Sequence, residues 1–124
     1  MNIIISNSSS EPIYEQIKKA IKQAIYTNEL KEEEILPSVR VLANDLKISF
    51  LTVKKAYDEL EAEGFIKTVQ GKGSYVLPKN LELLREEKLK EIEKNISTVV
   101  KLSKIYGITE EEVINLIKIM FEED

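Results

Sequence analysis

Apolar residues recur at intervals of three and four over five stretches of this 124-residue chain, with two short β-rich runs between the third stretch and the fourth. Ile13, Ile17, Ile21 and Ile25 form the first stripe, beside Ala20 and Ala24, which places Lys18, Lys19 and Lys22 off it. Ser10 is the expected N-cap there, with Glu11 in the first turn and Pro12 where a missing N–H costs least. Met1 to Ile5 favours β structure and predicts a short edge strand, whereas polar Asn28 to Glu34 reads as a loop. Ile35 and Leu36 make an apolar step ended by Pro37. Ser38 then caps a second helix that carries Val41, Leu42 and Leu46 inward. Lys47-Ile48-Ser49 is a tight turn, and Ser49 caps a third helix running to about Glu63, with Val53, Ala56, Tyr57 and Leu60 inward. Gly64 stands at the C′ position, where a left-handed backbone ends a helix at little cost.

The period then changes. Phe65 to Val69 and Ser74 to Leu77 are β-rich and joined by Gln70-Gly71-Lys72-Gly73, a hairpin loop closed downstream by Pro78. Three helices followed by a hairpin predict a winged helix-turn-helix over residues 1–78, mainly α with a small β wing. From Lys79 a long charged helix keeps Leu81, Leu84, Leu89, Ile92, Ile96, Val99, Leu102 and Tyr106 on a near-heptad stripe until Gly107. Thr109 and Glu112 form a capping box for a last helix with Val113, Leu116, Ile117, Met120 and Phe121 on its apolar face. Two such helices cannot bury their stripes alone, so residues 79–124 are expected to pack on the first domain or on a second copy. The latter makes them a two-helix dimerisation tail, with those thirteen apolar residues as its interface.

Composition narrows the chemistry. Cysteine and histidine are both absent, which removes disulfides, thiolate nucleophiles, the usual general base and the commonest transition-metal ligand. No cofactor or metal is expected, and the acidic runs at 32–34, 110–112 and 122–124 read as solvated helix ends. No stretch approaches the roughly 20 apolar residues of a membrane span, so a cytoplasmic protein without membrane contact is the expectation. The net charge of −4 is unevenly distributed. Residues 1–80 hold 11 basic and 11 acidic side chains, and residues 81–124 hold 7 and 11. Within 40–79 the balance is 7 basic to 5 acidic, which allows a locally basic face because charge is felt within about 10 Å in salt.

Specific blocks resemble the GntR family of bacterial regulators. Leu36-Pro37-Ser38-Val39-Arg40-Val41-Leu42-Ala43 resembles its L-P-S-x-R-x-L-A block, and Ile48 to Tyr57 resembles its recognition-helix block. Leu60, Glu63-Gly64-Phe65-Ile66 and Gly71-Lys72-Gly73-Ser74-Tyr75-Val76 follow in order. The opening segment, the Pro12 to Ile17 run and the short helical tail are similar to the YtrA subfamily. The resemblance implies a transcription regulator, with repression the expected direction, that binds double-stranded DNA as a homodimer through its tail. A tail this short is expected to lack a classical effector pocket, and the chain names no small-molecule effector.

The resemblance assigns DNA contact to Arg40, whose planar fork suits guanine or phosphate. It assigns Ser49 and Thr52 to the groove-entering end of the third helix, and Lys54 and Lys55 to the same helix. Ser49 also serves as an N-cap, and the alternative for the two lysines is an ordinary solvated helix face, an alternative that is stronger for Lys55 than for Lys54. Phe50 departs from the family, which often has arginine there. With Leu51 it can meet a thymine methyl, or it packs against a neighbouring helix. Gln70, Gly71, Lys72 and Gly73 form the wing tip, which also reads as an ordinary surface turn. Two rivals follow from the same residues: a protein-binding adaptor, favoured only by apolar Phe50-Leu51, and an enzyme, which lacks any convergent nucleophile and base.

Overall fold

The computed structural model describes residues 2–78 and 81–123; the side chain of Leu81 and the expected linker residues Lys79 and Asn80 lie outside that description. The elements run α1 (Ile13–Tyr26), α2 (Val39–Leu46), α3 (Phe50–Ala62), β1 (Ile66–Val69), β2 (Gly73–Val76), α4 (Leu81–Tyr106) and α5 (Glu110–Glu122). The chain divides into two compact units, Met1–Leu81 and Glu82–Asp124.

The first unit closes on one apolar core. Ile17, Ile21, Ala24 and Ile25 of α1 meet Leu42 and Ala43 of α2, Val53, Ala56, Tyr57 and Leu60 of α3, and Ile66 and Val76 of the hairpin. Each fully buried aliphatic side chain contributes about 1.5–3 kcal/mol, so this cluster dominates the unit's stability. Strands β1 and β2 pair antiparallel, with Ile66 opposite Val76 and Val69 opposite Gly73. The observed strands are one residue shorter than expected at Phe65 and Leu77, and Gly73 joins β2.

Several expectations are corrected. Asn2 to Ile5 is not a strand, and Met1 lies outside the described residues. Instead Ile3 and Ile5 pack against the core, and the Gln16 amide holds the next residue, donating to the Ser6 carbonyl at 3.0 Å and accepting from the Ser6 amide at 2.8 Å. Ser10 is not the cap of α1. Pro12 occupies that position without a side-chain cap, and its carbonyl accepts from the Glu15 and Gln16 amides. Leu30, inside the expected polar loop, is buried in the core, because the left-handed Asn28 turns the chain back and Leu30 donates to the Ala24 carbonyl. Val41 is half-exposed and not inward, since α2 buries only the face that carries Leu42 and Ala43.

Residues 33–36 add a partial third strand to the wing. Ile35 bridges Tyr75, Leu36 donates to the Ser74 carbonyl at 2.8 Å, and Val76 donates to the Glu34 carbonyl at 3.0 Å. The wing is therefore tied on one side to the segment that leads into α2.

The largest correction concerns Lys18. It faces α3 and is buried, with its Nζ 2.8 Å from Glu59 and 2.6 Å from Glu63, while Lys22 reaches Glu63 at 2.7 Å. Lys19 pairs with Glu11. Burial alone lowers the Lys18 pKa, but the hydrogen bonds to Glu59 and Glu63 outweigh it and raise the pKa. For Glu63, burial pushes the carboxyl up, and the hydrogen bonds from Lys18 and Lys22 overcome that and hold it below its usual range.

The second unit consists of α4 and α5. At 26 residues, α4 is roughly 39 Å long. Gly107, at φ +67°, ends it, and Ile108 donates back to the Ser103 carbonyl. Thr109 and Glu112 form the expected capping box for α5. In the single chain Leu84 is buried and Val113 half-buried, whereas Leu89, Ile92, Ile96, Val99, Leu102, Tyr106, Leu116, Ile117, Met120 and Phe121 are all exposed. None of the described helices is long and apolar enough to cross a membrane.

Candidate nucleic-acid interface

Helix α2 begins at a true cap: Ser38 Oγ accepts from the Val41 amide at 3.1 Å. Lys47, at φ +56°, makes the left-handed turn out of α2, and Ile48 donates to the Ala43 carbonyl. Ser49 then caps α3, accepting from the Thr52 amide at 3.1 Å while its Oγ lies 2.9 Å from the Thr52 hydroxyl. Ser49 is thus fully employed as a cap, and its exposed position at the helix start leaves the positive end of the helix dipole facing solvent.

The first turn of α3 presents Phe50 and Leu51 outward, the latter 73% exposed. Phe50 does not enter the core. It meets Arg40 of α2, whose guanidinium lies 5.5 Å from the ring centroid. Farther along α3, Lys54 is exposed but engages Asp58 one turn on, at 2.9 Å. Lys55 sits over the Tyr14 ring of α1, 4.1 Å from its centroid, so its ammonium bridges two helices at the surface. Exposed ion pairs and cation–π contacts of this kind are weak, and both lysines can leave them for a stronger anion.

The wing tip follows from its backbone. Gly71 and Gly73 have φ of +82° and +96°, which L side chains seldom adopt, and Lys72 between them donates its amide to the Val69 carbonyl. Gln70, Gly71, Lys72 and Gly73 are all exposed. One pair back from the tip, the Thr68 and Ser74 hydroxyls share a hydrogen bond of 2.7 Å, and Glu61 of α3 accepts from the Thr68 amide at 2.6 Å. The wing is therefore fastened to the end of α3.

Arg40, Ser49, Phe50, Leu51 and Thr52 are brought together where α2 and α3 meet, Lys54 and Lys55 lie farther along α3, and residues 70–73 occupy the hairpin tip. Two exposed cations are missing from the sequence reading: Lys47 in the turn between the helices and Lys67 on β1. The left-handed turn at Lys47 carries no sequence signal, because the residue is not glycine.

A helix-turn-helix with a two-stranded wing defines the class as a winged helix-turn-helix protein. The model of the family described as bacterial regulatory proteins, gntR family, matches residues 13–76. The HTH-type transcriptional repressor YtrA of Bacillus subtilis (strain 168) is 36% identical over 116 residues, spanning 94% of this chain and 89% of YtrA. A GntR family transcriptional regulator from Listeria monocytogenes shares the fold at a TM-score of 0.74 and 33% identity, covering 90% of this chain and 96% of that one. The DNA-binding domain of AraR in complex with operator ORX1 matches with a TM-score of 0.55 at 25% identity, over 61% of this chain and 95% of that chain. The chain belongs to the GntR family, whose members are DNA-binding transcription regulators and not enzymes.

Proposed function

We propose that this protein is a transcriptional repressor that binds a palindromic operator as a homodimer. The observation that carries the DNA reading is the capped, solvent-facing start of α3, where Ser49, Phe50, Leu51 and Thr52 stand beside Arg40 with a lysine-tipped wing on the same unit. Helix α3 enters a major groove with its N-terminal residues on base edges, and Gly71-Lys72-Gly73 approaches an adjacent minor groove. Lys54 and Lys55 exchange Asp58 and Tyr14 for backbone phosphates, releasing counterions. Lys47 and Lys67 are further exposed cations of the same unit. AraR, solved on its operator, supports DNA as the partner, and the name of YtrA supports repression.

The exposed stripe of α4 and α5 supports self-association. Ile96, Val100, Val113, Ile114 and Ile117 line a groove of about 310 Å³ between the two helices, and so large a contiguous apolar face is the mark of an interface. A second copy covers it with the same residues, as two-fold symmetry requires. Half-sites then lie roughly 10 bp apart, or a multiple of that.

Selection of duplexes from a random pool tests this reading, with wild type beside a Lys54→Glu/Lys55→Glu double variant. Recovery of a palindrome by wild type alone, with affinity falling steeply as salt rises, is the expected result. Enrichment of nothing by a folded wild-type protein overturns it.

A further inference from the structure

Phe50 begins the recognition helix yet has no hydrogen-bonding group with which to read a base. Its position explains what it does instead. The ring is 42% exposed at the start of α3, and the Arg40 guanidinium, rooted on α2, lies over it at 5.5 Å. Among the described residues no carboxylate pairs with Arg40, in contrast to Lys54, which is held by Asp58. The ring is therefore a contact that narrows the positions this side chain samples, weakly enough for a base to complete the fit. Arginine carries about 2 kcal/mol of rotamer entropy, so a long exposed guanidinium without a support samples many positions before it meets a base.

A contact with an aromatic ring engages the face of the guanidinium and leaves its edge, with five N–H donors, directed away from the ring. That edge is the part that donates two parallel hydrogen bonds to the O6 and N7 of guanine. A carboxylate partner would occupy those same donors and have to be displaced. An aromatic partner biases the side chain toward one region and keeps the reading edge available.

We propose that Phe50 is a positioning residue for Arg40, and that selectivity for guanine at one position of each half-site depends on this aromatic ring. This inference rests on the DNA-binding reading above and names the pair of residues that sets its base preference. Phe50 acts through Arg40 and not through a base contact of its own.

The test measures affinities of the full-length protein for its selected duplex and for duplexes carrying each other base at every position. Wild type is compared with Phe50→Leu, Phe50→Tyr, Arg40→Ala and the Phe50→Leu/Arg40→Ala double variant. All four alter exposed side chains, and thermal melting checks that each folds. Arg40→Ala is expected to abolish a guanine preference at one position. Phe50→Leu lowers that same preference roughly two- to fivefold, as the loss of an exposed cation–π contact implies. Phe50→Tyr retains it, and Phe50→Leu has no further effect at that position once Arg40 is gone. An unchanged guanine preference in Phe50→Leu, or an equal loss with and without Arg40, overturns the inference while leaving DNA binding in place. A wild-type protein that discriminates no duplex overturns the DNA-binding reading and this inference together, and is told apart because every variant is then equally unselective.

Discussion

The hydroxyl of Tyr57 donates a 2.7 Å hydrogen bond to the carbonyl of Pro37, joining the middle of α3 to the residue that precedes the Ser38 cap of α2. The Tyr57 ring is buried, and its burial raises the hydroxyl pKa well above the usual value. A buried phenol needs a partner, and here the partner orients the chain that delivers Arg40.

Tyr57→Phe removes the donor but keeps the ring. The Pro37 carbonyl loses its partner, and stability falls by about 1 kcal/mol. Urea denaturation measures this, and DNA affinity is expected to fall with it, because α2 is less firmly held. An equally stable variant with normal affinity would show that the bond positions nothing.

Lys18 joins α1 to α3 through Glu59 and Glu63. Lys18→Met keeps the buried alkyl chain and leaves the two carboxylates facing each other, with only Lys22 on Glu63. Removing one partner of a buried pair costs about 3–5 kcal/mol, but both glutamate side chains are 35% exposed and solvent screens them, so about 2 kcal/mol is expected. Chemical denaturation at neutral pH checks the figure.

The same cluster sets a pH dependence. Glu63 titrates lower in the folded chain than its ordinary value of 4.5, so the folded state favours its ionised form. Its contribution is fully present above about pH 4.5 and is lost as pH falls through the folded pKa below that. Lys18, shifted upward, loses its contribution only on the far alkaline side. Comparing denaturation midpoints of wild type and Glu63→Gln from pH 7 to pH 3 should show a smaller acid loss in the variant. Parallel curves would exclude Glu63 as a source of the acid sensitivity.

At the wing, Lys72→Ala is expected to weaken binding to all duplexes alike and to reduce the logarithmic salt slope by about one. Fluorescence anisotropy over a salt series gives both quantities. A changed base preference, with the salt slope intact, would instead mark Lys72 as a base reader.

For the tail, a chain ending at Asn80 retains the entire apolar core of the first unit and should fold as a monomer with much weaker binding to a palindrome. Thr109→Ala, which breaks the capping box, removes about 1 kcal/mol from α5 and should raise the dimer dissociation constant. Sedimentation and duplex titration read both variants. Palindrome binding by the truncated chain as tight as that of the full chain would place the dimer contact elsewhere.

The sequence by itself determined the helices and most of their caps, because these depend on neighbours within four residues. The exceptions are the cap of α1, at Pro12 and not Ser10, and the left-handed stop of α2 at Lys47. Ser38 with Val41, Ser49 with Thr52, and Thr109 with Glu112 are all contacts of this range, and Gly64 and Gly107 adopt the positive φ that their positions imply. The family blocks were legible for the same reason, being contiguous runs. Only the tertiary structure decided which faces meet. Spacing puts Lys18 off the apolar stripe, yet it is buried, and its partners Glu59 and Glu63 arrive from more than forty residues away. Val41 lies on the exposed side of α2, away from Leu42 and Ala43, whereas Leu30, in a polar run, is folded into the core by the turn at Asn28. The Arg40–Phe50 contact and the Ile35–Tyr75 bridge likewise arise from elements placed side by side. Periodicity states which residues share a face. The hydrophobic effect is non-directional, so where that face comes to rest depends on the packing of the whole unit.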